Sequence, residues 1–511
     1  MSLAVAYARA QLGLAAPLVV IETHLTPGLP AFNMVGLAEA AVRESRERVR
    51  SAILNAGFEF PGRRITINLA PADLPKEGTR FDLAIALSIL AASGQIRADA
   101  LPASEYLAEL ALTGALRPIK GILAAALAAH GAGRAIFCAS GNAQEISLCE
   151  DLLAHAPTSL REVCDHLEGR TLLAPIPHTS PVATGTANLP DLAEVRGQFP
   201  ARRALEIAAA GGHNLLMVGP PGTGKTMLAM RLPSLLPPLS PAAALEAAVV
   251  RSVNGSLAGS TDWRLPPFRS PHHTATAAAL IGGGSVPRPG EVSLAHLGVL
   301  FLDELPEFSR HVLEVLREPL ESRCVTISRA SRQATFPADF QLVAAMNPCP
   351  CGYAGDPSGR CQCSPVRIAR YLERVSGPLL DRIDIQVEVP RETDWLQHGQ
   401  DEQLESSAMV SVRVAEARQL QIARQGCLNA RLGASGIGTH IPLGREAAAL
   451  LEQAFARFRI SPRVCHRLLR MARTIADLAG VEQVGSGDVA EALGLRRMDR
   501  QQAERQMLYG G

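Results

Sequence analysis

The sequence predicts an α/β protein in three parts. A mixed α/β domain spans residues 1–165, a second α/β domain with a parallel sheet spans 191–390, a helical domain spans 391–511, and 166–190 forms a linker. Three apolar runs that each end on chemically useful side chains carry this prediction. Leu215-Leu216-Met217-Val218 runs into Gly219-Pro220-Pro221-Gly222-Thr223-Gly224-Lys225-Thr226, Gly298 to Leu302 closes on Asp303-Glu304, and Phe340 to Met346 closes on Asn347. Uniformly apolar runs suit strands buried on both faces of a parallel sheet. Open sheets of that kind bind ligands outside the carboxyl ends of their strands.

The first run leads into a match to G-x-x-x-x-G-K-[ST], and Met227-Leu228-Ala229-Met230 continues it as a helix, which is the context this motif needs. Its glycines let successive backbone N–H groups turn inward on a phosphate, Lys225 adds a point charge to the outer phosphates, and the Thr226 hydroxyl is placed to ligate Mg²⁺. Asp303 is placed to hold the Mg²⁺ through water, Glu304 to polarise an attacking water, and the Asn347 amide to orient that water. Any one of these strands alone reads as an ordinary core strand with a polar end; the three together do not.

Apolar residues make up 47% of the 511-residue chain and charged residues 19%, which describes a globular protein rather than a disordered one. With 50 Lys+Arg against 49 Asp+Glu the total is balanced, so any basic surface for nucleic acid must be local. Residues 1–20 have no basic segment ahead of their apolar part and carry Arg9 within it, and no long uncharged apolar run follows. The expectation is a cytoplasmic protein with no membrane association and with reduced cysteines. Cys138, Cys149, Cys164, Cys324, Cys427 and Cys465 are scattered and read as buried small hydrophobes.

In the first domain, Leu18 to Leu25 and Ile65 to Leu69 read as strands. Ala40 to Ala56 reads as an amphipathic helix, with Val42, Val49, Ile53 and Ala56 on one side, and Phe81 to Leu90 as a buried helix. Pro75-Lys76-Glu77-Gly78, Phe81-Asp82-Leu83, Thr113-Gly114 and Ile119-Lys120-Gly121-Ile122 resemble the proteolytic domain of Lon-type proteases, which works with a Ser-Lys dyad. Arg80 stands at the nucleophile's place in that resemblance and Ala125 at the lysine's, so the covalent mechanism has no parts. From Thr171 to Pro190 there is no charged residue and four prolines occur, which reads as a semi-stiff linker.

Beyond it, Val195 and Gly197 are candidate neighbours of a nucleotide base, and Arg202 to Ala210 reads as a helix. Roughly seventy residues separate the phosphate loop from Asp303, more than one crossover needs. Within them His272 and His273 fit metal ligation, DNA contact or loop packing. Arg310 to Glu321 reads as a helix, followed by a hairpin whose tip carries Arg329 and Arg332, suited either to gripping a phosphate backbone in a ring's pore or to plain solvation. Cys349, Cys351, Cys361 and Cys363 form two close pairs joined by a Gly/Pro-rich loop. That pattern suits structural Zn²⁺, with a redox pair or inert thiols as alternatives. Arg382 has no obvious partner in its own subunit and is the candidate to stabilise a transferring phosphoryl group from a neighbour; Arg374 is the second, and a surface salt bridge the plain alternative.

The last domain reads as helices at 405–425, 444–458, 461–478 and 486–494, with Arg463 opening the third and placed to reach a γ-phosphate. The tail arginines Arg496, Arg497, Arg500 and Arg505 read as a solvated end. Taken with Gly36-Leu37, Glu44-Ser45-Arg46, Asn68 to Asp73, Pro267 to Thr274, Pro289-Gly290-Glu291 and Asn347 to Gly352, the chain resembles the YifB/ComM branch of Mg-chelatase-like AAA+ ATPases. The resemblance implies a peptidase-inactive Lon-like α/β domain, an AAA+ core and a helical lid. Gly219 to Thr226 would bind ATP, with Thr226 and Asp303 on Mg²⁺, Glu304 as the water acid, Asn347 as first sensor, Arg382 as trans finger and Arg463 as second sensor. It further implies a homohexamer that drives branch migration of single-stranded or branched DNA during uptake of transforming DNA, with a recombinase or other recombination proteins as partners. A chelatase-type ATPase that remodels a protein partner for metal insertion is the rival reading, and an ATP-dependent protease a third.

Overall fold

The computed structural model describes residues 3–35, 40–76, 78–178, 189–257, 263–284, 286–329, 332–357, 359–391, 404–458 and 461–496, excepting the side chains of 40–43, 329, 332 and 458. Gly36-Leu37, Glu77, residues 179–188 of the proposed linker, the side chains of Val42, Arg329 and Arg332, and Arg497, Arg500 and Arg505 therefore lie outside the described residues.

Residues 3–155 build a seven-stranded mixed sheet in the order Ala31–Val35, Arg64–Ala70, Leu18–Thr26, Leu3–Arg9, Ser104–Leu107, Ala135–Cys138, Ala154–His155. Alternation explains its long strands. Val19, Ile21, Thr23 and Leu25 point inward from Leu18–Thr26, as do Ile65, Ile67 and Leu69 from Arg64–Ala70, and the two strands pair antiparallel with Ile21 opposite Leu69. Asp82–Ala92 is apolar beyond its first turn except at Ser88, whose hydroxyl meets Thr23 Oγ1 and donates to the Ile85 carbonyl, and is buried along its whole length, as expected of a helix enclosed by the core. Ala40–Asn55 packs beside it through Val49 and Ile53.

The proposed linker begins later than 166. Leu160–Leu167 is a helix, and beyond it the Leu173 N–H donates to His166 Nδ1 at 2.9 Å and the Ile176 N–H to the Ala154 carbonyl at 2.7 Å. Leu173 and Ile176 pack half-buried against the first core, while the other residues of 171–178 are exposed.

The second sheet is wholly parallel, in the order Phe268–Arg269, Val299–Leu302, Gln341–Met346, Leu215–Val218, Ile385–Glu388. Register aligns the ends that matter: Leu302 sits beside Ala344 and Val218 beside Met346, so the chain leaves all three strands at one edge. Two departures from the sequence expectation have local causes. The helix expected at 310–321 divides into Arg310–Val315 and Arg317–Ser322, because Pro319 has no N–H for the Val315 carbonyl and its ring crowds that group. The long insertion contains a helix, Pro241–Asn254, that the sequence reading did not anticipate.

The C-terminal helices Ser407–Gln425, Arg445–Phe458, Pro462–Leu478 and Ser486–Gly494 form where expected. Ser406 and Ser461 cap two of them by accepting from the N–H groups of Met409 and Val464. Their inward faces share one core with the lower side of the parallel sheet. Arg496 corrects the picture of a solvated tail: it is buried, and its Nη1 donates to the carbonyls of Ile383 and Asp384 at 3.0 and 3.1 Å. Among the scattered cysteines, Cys138, Cys149 and Cys164 are buried as expected, whereas Cys324, Cys427 and Cys465 are only partly so.

Candidate nucleotide site

The loop after Val218 folds so tightly against the last strand that only glycine fits at its start: a Cβ on Gly219 would come within 2.1 Å of the Val389 carbonyl oxygen. The loop ends in the helix Lys225–Ala229. Lys225 is buried, and its Nζ donates to the Gly219 and Pro220 carbonyls at 2.8 Å each and to Asn347 Oδ1 at 3.2 Å. Burial lowers its pKa from the ordinary lysine value, and the nearby carboxylates of Asp303 and Glu304 oppose that shift. Thr223 Oγ1 donates to the Pro220 carbonyl, holding the turn.

Thr226 Oγ1 donates to Asp303 Oδ2 at 2.6 Å. A hydroxyl and a carboxylate oxygen side by side, both partly open to solvent, form the hard oxygen donor set that suits Mg²⁺. Glu304 follows in the left-handed region at φ 52°, an uncommon position for a residue with a side chain. It is held there by its N–H donating to Asp303 Oδ1 at 2.9 Å and by its carbonyl accepting from the Glu307 N–H at 2.7 Å.

The Glu304 carboxylate lies 3.1 Å from His273 Nδ1. Of the roles open to the histidine pair the structure shows local packing: His273 turns toward the carboxylate, the His272 ring lies tilted against the His273 ring with centroids 4.1 Å apart, and His272 Nδ1 lies 2.9 Å from Thr274 Oγ1. No sequence signal pointed to the pairing, which joins the insertion to the neighbouring strand.

Arg382 requires a correction. It does have partners within its own chain: Nη1 donates to the Pro378 carbonyl at 2.6 Å and Nη2 pairs with the Glu321 carboxylate. Glu321 closes the helix broken by Pro319, a position that chain order alone does not bring near. Arg374, the second candidate, is exposed and contacts Glu307 Oε2 at 3.2 Å and the Pro306 carbonyl at 3.3 Å. Arg463 is exposed in the first turn of its helix.

The four cysteines come together. Cys349, Cys351, Cys361 and Cys363 hold their sulfurs within 4.8 Å of one another, with separations of 3.3, 3.8 and 3.7 Å among the first three. A tetrahedral ion with Zn–S bonds of about 2.3 Å needs sulfurs about 3.8 Å apart, so the donor set fits. All four are free thiols.

In the first domain Arg80 and Ala125 are both buried, and Arg80 Nη2 donates to the Lys120 carbonyl at 2.8 Å. The helix Pro241–Asn254 covers Ile122–Gly131, the helix that carries Ala125, with Ser252 accepting the Gly121 N–H at 2.9 Å and Ala244, Ala248 and Val249 joining the first core.

This fold and site define a phosphate-loop ATPase of the Mg-chelatase type. Family models described as Subunit ChlI of Mg-chelatase, Magnesium chelatase, subunit ChlI, and Magnesium chelatase, subunit ChlI C-terminal match residues 21–142, 191–395 and 404–496. The chain belongs to the YifB/ComM family of Mg-chelatase-like AAA+ ATPases. It is 49% identical over 98% of both chains to the competence protein ComM of Haemophilus influenzae, and 49% identical, again over 98% of both, to the uncharacterized protein YifB of Salmonella typhimurium. An uncharacterized protein of Mycobacterium tuberculosis, Rv2897c, is 43% identical over 97% of this chain and 99% of its own.

Proposed function

We propose that the protein is an ATP-driven hexameric motor that moves on DNA and promotes branch migration when transforming DNA is integrated. One observation carries the motor part: Lys225, the Thr226–Asp303 pair, Glu304 and Asn347 converge at one edge of a parallel sheet. The DNA part is supported by full-length similarity to a protein named for competence. In this reading residues 1–165, 191–390 and 391–511 are the Lon-like, motor and lid domains, and the linker between the first two, expected at 166–190, begins only after the stretch tied to the first domain at Leu173 and Ile176.

Gly219 to Thr226 wrap the triphosphate with backbone N–H groups, and Lys225 exchanges its carbonyl partners for the outer phosphates. Thr226 and Asp303 would hold Mg²⁺, and the ion would supply positive charge against that developing on the phosphates. Glu304 polarises the attacking water while Asn347 orients it. Arg382 leaves Glu321 to meet the triphosphate of the adjoining subunit, and Arg463 closes over it from the lid. Cys349, Cys351, Cys361 and Cys363 hold a structural zinc, to be checked by metal analysis of protein purified without chelator. Among the described residues no helix is long and apolar enough to cross a membrane, which accords with work on DNA in the cytoplasm beside a recombinase or other recombination proteins.

A junction-migration assay tests the reading. Lys225→Ala and Glu304→Gln are each expected to abolish migration, the second while still binding ATP; migration retained in either refutes the assigned roles. The chelatase name of the matching models favours a second reading, a ring that remodels a protein partner for metal insertion. ATP hydrolysis that single-stranded DNA does not stimulate, with no ring assembly on DNA, would favour it.

A further inference from the structure

The loop carrying the four cysteines is built into the wall of the phosphate pocket. Asn347, whose amide oxygen accepts from Lys225, is separated from Cys349 only by Pro348. Cys349 is fully buried, and its sulfur accepts the Ala354 N–H at 3.3 Å. Gly352, with φ 87°, lies so close to the phosphate loop that a Cβ there would come within 2.6 Å of Pro221 Cδ. At the far end, Cys363 is followed by Ser364, which caps the helix Pro365–Leu372 by accepting the Arg367 N–H. That helix returns to the pocket through Tyr371, which is buried and whose hydroxyl faces the backbone of Asn347.

The four sulfurs therefore sit where three parts of the nucleotide site meet: the phosphate loop at Pro221, the sensor amide at Asn347, and the helix that leads to Arg374. Between Cys351 and Cys361 the chain carries Gly352, Gly355, Pro357 and Gly359 and no regular element among its described residues. Its backbone turns, with the Asp356 N–H donating to the Tyr353 carbonyl and the Gly359 N–H to the Asp356 carbonyl, hold it locally, and a bond between its two ends would fix the whole span.

We propose that the four-cysteine centre is a working part of the nucleotide site: zinc bound by Cys349, Cys351, Cys361 and Cys363 holds Pro221 and Asn347 in the arrangement that binds ATP, so that zinc and nucleotide bind cooperatively. This rests on the zinc reading above. Cooperation between two binding sites is reciprocal, so nucleotide must raise zinc affinity by the factor by which zinc raises nucleotide affinity. A zinc that only stabilises its own loop has no such effect.

The test uses the full chain. Zinc affinity is measured by competition with a chromophoric, zinc-selective chelator, with and without a fluorescent, non-hydrolysable Mg²⁺–ATP analogue; affinity for that same analogue is measured on zinc-loaded and stripped protein. Both are expected to change by the same factor, about tenfold. Tyr371→Phe keeps all four sulfurs and the phosphate loop but removes the hydroxyl that reaches Asn347. It is expected to leave zinc affinity without nucleotide unchanged and to bring the factor toward one. That variant separates a local path from general stabilisation of the fold by nucleotide, which would survive it. Zinc affinity indifferent to nucleotide, or a factor unchanged in Tyr371→Phe, overturns the proposal; a chain that binds no zinc at all overturns instead the metal reading beneath it.

Discussion

Replacing Glu321 with Gln asks whether Arg382 is a movable cation. Its guanidinium is held by the Pro378 carbonyl and the Glu321 carboxylate, and it must leave the carboxylate to reach a phosphate across a subunit seam. The Glu321 side chain is 64% exposed and the Arg382 side chain 13%, so solvent screens the pair from the carboxylate side and holds its worth to about 0.2–1 kcal/mol. Removing that restraint changes an equilibrium by a factor of about 1.4 to about 5. Glu321→Gln is therefore expected to raise kcat by at most about fivefold, with nucleotide affinity unchanged. Arg382→Ala should lower kcat by about a thousandfold or more, and the double variant should match it. Steady-state ATP hydrolysis at saturating Mg²⁺–ATP and DNA, at fixed protein concentration, reads all three. Mixing Arg382→Ala with Lys225→Ala protein adds a seam-specific check. In randomly mixed rings about one seam in four combines an intact loop with an intact arginine, so activity should return to roughly a quarter of the natural level. If Glu321→Gln is as slow as Arg382→Ala, or if mixing restores nothing, Arg382 is a fixed brace of its own subunit and the seam chemistry is wrong.

His273→Ala frees the Glu304 carboxylate and is expected to cost roughly tenfold in kcat, less than the 10²–10⁴ or so lost in Glu304→Gln; His273→Gln, which keeps a donor, should recover part of it. An unchanged rate in His273→Ala would show that the pair does not position Glu304. Burial pushes the Asp82 carboxyl up to about 6, against the opposing pull of Arg48. Its folded pKa lies above the unfolded one, so its contribution to stability is complete below about pH 4 and is lost as pH rises through about 6. Asp82→Asn should therefore gain on the natural chain between pH 4 and pH 7.5, by at most about 3 kcal/mol in denaturant unfolding. Parallel pH curves for the two proteins would refute it.

What was legible in the sequence is what repeats at short range. Leu215–Val218, Val299–Leu302 and Gln341–Met346 are unbroken apolar runs with polar ends, and the lid helices carry their period together with Ser caps and Pro first turns. The Pro319 break was equally local and could have been drawn from its missing N–H. Partners separated by long stretches of chain leave no periodic trace. Glu321 meets Arg382 across 61 positions, and Arg496 looks like part of a charged tail until the Ile383 carbonyl, 113 positions away, is found to accept from it.

The insertion shows the same limit and what lies beyond it. Its length was visible as a surplus over one crossover, but where the surplus goes is a tertiary matter. At one end Ser252 accepts the Gly121 N–H and donates to Glu145 Oε2 at 2.5 Å, binding the Pro241–Asn254 helix to the first domain. In between, Glu246 meets His296 Nε2 at 3.0 Å, and His296 Nδ1 in turn accepts the Asp339 N–H at 3.1 Å, just ahead of the strand that ends at Asn347. At the other end His273 meets Glu304. One segment thus touches the first domain, the root of the strand that ends at Asn347, and Glu304. The Pro241–Asn254 helix packs on the Ile122–Gly131 helix that carries the buried Ala125, so a change in the insertion at His273 has a continuous packed path to the first domain.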